Sequence, residues 1–219
     1  MDRASPPGAT RRMPMAPRAR IPRQLHSSAG FSLPELLIVA ALLGSLVLLS
    51  VPWASRDARA VVGELAARQL ATVFRSARIE AGRRAATVAV EFVDWHGCTA
   101  WRIVADGDGD GVQADDRLDG IDSEIRAPVC LTWDFPGARI AITRPLPGID
   151  GDGALAPGDD PLRLGAGDLA RFTPSGTSSG GTVYLQGPDG NAFAVRVLAS
   201  TGRVRVLAFD AARGSWVER

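Results

Sequence analysis

The chain changes its hydrophobic period twice. From Leu36 to Trp53 eighteen residues pass without a charge, which at 1.5 Å per residue is roughly 27 Å of helix, about a bilayer core. From 56 to 83 apolar residues recur at helical spacing. Val62, Leu65, Gln69, Val73 and Ala77 fall on one face, Val61, Leu70, Phe74 and Ala81 beside them, and Arg68, Arg75 and Arg78 largely elsewhere. Together the two segments predict one helix of about 50 residues, roughly 75 Å long. It is interrupted near Pro52, whose ring would clash with the carbonyl of Leu48, and it ends at Gly82. Beyond it the period becomes two. Thr87–Val93, Thr99–Ala105, Val129–Phe135, Ala138–Thr143, Thr182–Gln186, Ala192–Leu198 and Arg203–Phe209 read as strands. Turn residues at 187–190 and 200–202 make the last three an antiparallel meander.

These elements predict an α+β fold, in which a β-rich head of two small antiparallel sheets lies against the exposed half of a long N-terminal helix. Two inserts break the strand pattern. Residues 106–124 hold eight acids and one Arg, and residues 144–168 hold six Gly, four Pro and five Asp, so both read as loops.

Charge divides the chain in the same way as hydropathy. All 25 basic residues are Arg, and the net charge is +1. Residues 1–30 carry six of those Arg against one Asp, with five Pro and hardly any apolar periodicity, whereas 31–219 carry a net −4. The composition, 46% hydrophobic, excludes wholesale disorder, and a single apolar stretch excludes a multi-pass membrane protein. The basic end stays in the cytoplasm by the positive-inside rule, which sends the C-terminal residues across the membrane. A secretory signal fits poorly, because the apolar run exceeds the usual length and no small-x-small site follows it.

At the mouth of the apolar run stands a carboxylate, in the sequence Gly30-Phe31-Ser32-Leu33-Pro34-Glu35-Leu36-Leu37. An ionisable group there is costly and points to function. This junction resembles the type IV prepilin signal. The resemblance implies that a membrane prepilin peptidase cuts between Gly30 and Phe31 and methylates the new N-terminus. It also implies that Glu35 pairs with the amino terminus of a neighbouring subunit during assembly. Pro34 departs from the family pattern but falls in the first helical turn, where its missing N–H costs little. Further on, Phe172-Thr173-Pro174-Ser175-Gly176, Gly180-Gly181-Thr182-Val183-Tyr184-Leu185 and Gly202-Arg203-Val204-Arg205 resemble the GspH/FimT branch of pilin-like proteins. The implied organisation is a cleaved basic leader at 1–30, a helix at 31–83 that spans the inner membrane to about residue 54, and a periplasmic head at 84–219.

Three candidate sites lie in that head. Asp106, Asp108 and Asp110 alternate with Gly up to Gly111, which matches the start of a calcium loop, although position 12 is Arg117 where bidentate Glu is expected. Asp115 or Asp116 is near enough in sequence to substitute, and the alternative is a solvated acidic hairpin. No other cofactor is indicated. Cys98 and Cys130 are the only cysteines and form either a bridge or two buried thiols. Arg196, Arg203 and Arg205 alternate along the last strands, with Arg213 and Arg219 beyond. They form either a solvated sheet face or, by resemblance to the segment with which FimT-like minor pilins bind DNA, a contact for phosphates.

Catalysis finds no support. With His26 in the leader, His96 is the one histidine of the mature chain, and no HExxH, CxxC or P-loop is present. The resemblance therefore implies a structural role as a minor pseudopilin of a type II secretion pseudopilus, partnered by other pilins. The alternative is a minor type IV pilin that captures DNA.

Overall fold

The computed structural model describes residues 32–219 except 152 and 166, and at 47–58 the backbone alone. Gly30 and Phe31, the predicted cleavage site, lie outside the described residues. Helix α1 (Leu33–Arg84) is continuous through Pro52, so the predicted interruption is absent from the secondary structure. A proline removes one i→i−4 bond, and the ladder resumes beyond it. The helix also runs past Gly82. It ends at Ala85, which takes the left-handed conformation usual for a C′ residue (φ +53°).

The first turns of α1 are apolar on every side: Leu36, Leu37, Ile38, Val39, Leu42, Leu43 and Leu46 are all exposed. Among the described residues, no helix is long and apolar enough to cross a membrane. Residues 47–53, which complete the predicted span, lie outside those whose side chains are described.

The rest of α1 belongs to the β-rich unit. Its buried stripe is made of small residues, Ala66, Ala67, Ala71, Ala77 and Ala81, with Leu70, Val73 and Phe74. The predicted face is buried at Leu70, Val73, Phe74, Ala77 and Ala81, but its Leu65, like Val61 beside it, is about half exposed, and Ala66, Ala67 and Ala71 are buried instead. Small side chains are what allow a helix axis to come close to a sheet, and Gly63 shows it most sharply. A Cβ at Gly63 would meet the Phe193 ring at 2.5 Å and the Gly187 Cα at 2.8 Å.

The strands are β1 (Val88–Trp95), β2 (Cys98–Ala105), β3 (Ser123–Cys130), β4 (Arg139–Ile140), β5 (Leu146–Pro147), β6 (Ala154–Leu155), β7 (Leu162–Leu164), β8 (Leu169–Phe172), β9 (Gly181–Gln186), β10 (Ala192–Leu198), β11 (Arg203–Asp210) and β12 (Ser215–Glu218). Short helices α2 (Ala114–Leu118) and α3 (Leu131–Asp134) flank β3. Among the described residues, one antiparallel sheet has the order β3-β2-β1-β8 and a second the order β12-β11-β10-β9-β4, with β7 also on β9 and β5-β6 as a separate ribbon. The predicted meander is β9-β10-β11, extended by β12.

Both sheets share one core with α1. Val88, Val90 and Phe92 of β1 and Trp101 and Ile103 of β2 point to the helix from one sheet, and Val183, Val195, Val204 and Val206 from the other. Phe74 packs edge-on against Phe92 at 6.2 Å between centroids.

Two strand assignments change. Val129–Phe135 is not one strand, because β3 stops at Cys130 and the chain turns into α3. Ala138–Thr143 shrinks to the two residues of β4. The two inserts are not wholly loop either. The first contains α2, and the second contains β5, β6 and β7. Each folds back over the outer face of a sheet. Val112 plugs a small cluster with Ala89, Val104 and Leu169 on the first sheet. Ile142, Leu146 and Leu155 cover Tyr184, Ala192 and Ala194 on the second, with Leu207, Phe209 and Trp216 around them.

Candidate functional site

Asp106 leaves the end of β2 with its carboxylate turned inward, where it accepts hydrogen bonds from the backbone amides of Asp108 (3.2 Å), Gly109 (2.7 Å) and Gly111 (3.0 Å). Asp122, also buried, accepts from Gly107 (3.1 Å) and Gln113 (2.8 Å). These two carboxylates fold the acidic loop by satisfying amides that the turns leave unpaired. The three aspartates of the predicted calcium loop are divided between two groups. Carboxylate oxygens of Asp106, Asp108 and Asp122 lie within 4.8 Å of one another, and so do those of Asp108, Asp110 and Asp116. Asp116 thus stands where the sequence pattern lacked its closing ligand, and an all-oxygen set of this kind suits a hard cation.

The crowding shows in the proton affinities. The Asp110 backbone amide, bonded to Asp108, lowers that carboxyl's pKa. Desolvation and the Asp110 carboxylate outweigh it and leave Asp108 above the ordinary carboxylate range. Asp116 is raised by desolvation first and then by Asp110, Asp108, Asp122 and Asp115.

Arg117, the residue at position 12, turns away from the loop to the sheet. It pairs with Glu91 of β1, which is only 5% exposed. Arg102 of β2 donates its Nε to the other Glu91 oxygen at 2.6 Å, and its Nη1 lies 3.3 Å from Glu124. A buried carboxylate clamped by two guanidiniums is fully paired, which is the condition for keeping a charge out of water. Sequence reading missed Glu91, because an acid at an alternating strand position looks like an ordinary solvent-facing residue.

Cys98, at the start of β2, and Cys130, at the end of β3, are joined as a disulfide with a Cα separation of 6.1 Å. The adjacent strands β2 and β3 bring the two ends together, with Ala100 opposite Cys130.

The predicted basic strip is partly neutralised. Arg196 pairs with Asp150 of the second insert at 2.6 Å, and Thr182 Oγ1 donates to the same carboxylate. Arg213 lies 3.5 Å from Asp210. Arg203 and Arg205 share one carboxylate, Glu218 of β12, at 3.8 and 3.7 Å. Arg205 stands directly opposite Arg196 across the strands, a like-charge placement, and its Nε is buried without a hydrogen-bond partner.

Glu35 stands in the first turn of α1, where a negative charge is favoured by the helix dipole. It is the one ionisable group among the described apolar residues there.

A family model described as type II transport protein GspH matches residues 66–202, well over half of the chain. The match starts in the buried stripe of α1, includes both inserts and both cysteines, and stops at Gly202, just before Arg203 and Arg205. A search of curated proteins and a search of solved structures each find no match.

Proposed function

The chain belongs to the GspH family of type II transport proteins, and from that premise we propose that it is a minor pseudopilin of a type II secretion pseudopilus. It is made as a prepilin and cut between Gly30 and Phe31 by the prepilin peptidase, which methylates Phe31. The apolar part of α1 holds it in the inner membrane as a single pass, with the head in the periplasm. Assembly with other pseudopilins moves it into a short filament, where Glu35 neutralises the freed amine of a neighbour. Its role is structural, not catalytic.

One observation carries this reading: the first turns of α1 expose apolar side chains all round, with a single carboxylate at their start. A helix of that kind needs a bilayer or a bundle of like helices around it, and the carboxylate needs a cationic partner there. Mass spectrometry of the protein from a host with active prepilin peptidase is expected to find a chain beginning at methylated Phe31. Retention of the first thirty residues sinks the proposal. In the same host, Glu35→Gln is expected to leave cleavage intact and remove the protein from sheared filaments.

A second reading has one observation in its favour. Among the described residues Arg203 and Arg205 have only Glu218 as a carboxylate partner, at distances beyond a close ion pair, so the donors of the more exposed Arg203 in particular remain for a ligand. In this reading the protein is a FimT-like minor pilin whose Arg203 and Arg205 hold DNA phosphates. A mobility-shift assay at two salt concentrations separates the two. Binding at low salt that Arg203→Ala/Arg205→Ala abolishes supports DNA capture, and no binding at low salt removes it.

A further inference from the structure

Arg75 and Arg78 stand one helical turn apart on α1, beside a groove of about 530 Å³ whose other wall is Pro174, Ser175 and Gly176, the turn after β8. Both arginines are exposed, and among the described residues neither pairs with a carboxylate. Their neighbours on the same helix differ: Arg68 pairs with Glu64, and Arg83 and Arg84 with Glu80. The Arg75 Nη2 makes only a long bond, 3.4 Å, to the Val204 carbonyl.

The backbone around Arg78 is shaped to leave it room. Gly176 (φ +88°) and Gly202 (φ +58°) are both left-handed. A Cβ at Gly202 would meet the Gly176 carbonyl at 2.7 Å and Arg78 Cδ at 3.2 Å, and one at Gly176 would lie 3.4 Å from Arg78 Nη2. The guanidinium thus rests on the glycine turns with no hydrogen-bond partner among the described residues, and Arg203, also exposed, follows Gly202 directly. Ser175 adds a hydroxyl at the groove wall, within a cluster with Thr173 and Thr177.

We infer that this groove is a phosphate seat that continues the Arg203 strip onto the helix, and that its ligand is the sugar-phosphate backbone of duplex DNA. The inference rests on the DNA reading above and extends it to Arg75 and Arg78. A row of cations across a turn and a strand start fits repeated single negative charges better than one carboxylate. Guanidinium and hydroxyl donors suit phosphate oxygens. The groove offers no aromatic face on which to stack an unpaired base. The exposed Trp95 lies at the far end of β1 from Val88, which pairs with Phe172 beside the turn. Binding is therefore independent of sequence and driven by counterion release.

The test uses the full chain in detergent with a 30-base-pair duplex of arbitrary sequence, titrated at several salt concentrations. Arg75→Ala/Arg78→Ala is expected to weaken binding and to lower the slope of log affinity against log salt by about two contacts. Arg75→Lys/Arg78→Lys should restore most of that slope. Ser175→Asp, on an exposed turn, should weaken binding even where the double alanine variant fails to fold. If the unaltered chain does not bind, this inference and the DNA reading fall together. If it binds, depends on Arg203 and Arg205, and is indifferent to Arg75, Arg78 and Ser175, this inference alone falls. Displacement of the duplex by poly-glutamate at equal charge concentration would mark the groove as a seat for acidic protein segments and overturn it.

Discussion

Residues 106–122 and residues 141–161 each leave a sheet and fold back over its outer face, yet they are fastened there by different forces. The first excursion is acidic and places one apolar residue, Val112, on the sheet. Its remaining attachments are polar: the amides bound by Asp106 and Asp122, the Arg117–Glu91 pair, and the Val112 carbonyl, which accepts from Arg171 Nε at 3.2 Å. It also lies inside the covalent loop closed by Cys98 and Cys130, 32 residues apart. The second excursion has no bridge. Ile142, Leu146, Ile149 and Leu155 bury themselves on Tyr184 and the residues around it. The Ile149 amide donates to Tyr184 Oη at 3.0 Å, and Trp216 Nε1 donates to the Pro147 carbonyl at 2.8 Å. A segment too acidic to supply its own apolar anchor depends on a covalent closure and on paired charges. A segment with four apolar residues needs no covalent closure, and adds to them a single ion pair, Asp150 with Arg196.

The largest expected effect follows from the closure. Replacing both cysteines with serine should cost about 3–4 kcal/mol, the loop-closure entropy returned to the unfolded chain. Urea unfolding of the full chain with and without reductant measures it, and equal midpoints would show that the covalent loop contributes nothing to the first excursion. The second excursion should be blind to this change. Hydrogen exchange is expected to quicken across 106–122 in the serine variant and to stay unchanged across 141–161.

Next in size is Leu155→Ala, which removes a side chain only 2% exposed and should cost about 2–4 kcal/mol. The loss should appear as faster exchange at 141–161 alone. Arg117→Met should cost less, about 1.5–3 kcal/mol for a charged hydrogen bond, because Glu91 keeps Arg102. Its exchange signature should lie at 106–122. If each substitution loosened both excursions equally, the two would be one cooperative unit and the contrast between them would be false.

These differences also explain which parts were legible beforehand. The long helix and the β9-β10-β11 meander have sustained periods, and packing kept them. The buried face of α1 was read correctly at Leu70, Val73, Phe74, Ala77 and Ala81, but Leu65 was given a place that goes to Ala66, Ala67 and Ala71, because close approach to a sheet selects small side chains. Strand β3 went unread at its start because Glu124, Arg126 and Pro128 suit an edge strand, where one side carries no ladder. The second excursion looked like loop because its apolar residues follow no period and meet only in three dimensions. At the sites, the cysteines were visible as a pair but not as neighbours. Arg75 and Arg78 looked like the solvated side of a helix, and nothing local tells a free guanidinium from a paired one. Asp116 was named beside Asp115 as a substitute closing ligand, but Asp122 was hidden in a run of acids whose individual roles depend on which amides and carboxylates face them.

The smallest effect tests the electrostatic half of the contrast. Asp108 and Asp116 have folded-state pKa values above the ordinary carboxylate value of 3.8. A raised folded pKa means that the proton is bound more tightly in the folded chain. These two groups therefore favour folding fully below about pH 3.8, and that contribution is lost as the pH rises through the elevated value. Above that range desolvation of these carboxylates, and then the repulsion among Asp108, Asp110 and Asp116, opposes the fold of the acidic loop. Asp116→Asn should accordingly raise Tm slightly at pH 7, with the gain shrinking as the pH falls toward 3.8. Millimolar calcium is the matching measurement. A rise in Tm of the unaltered chain that Asp116→Asn diminishes would mark the Asp108, Asp110 and Asp116 oxygens as a cation seat. No rise would leave these carboxylates with their own repulsion alone, and a variant less stable than the parent at pH 7 would mean that Asp116 is held by an attraction instead.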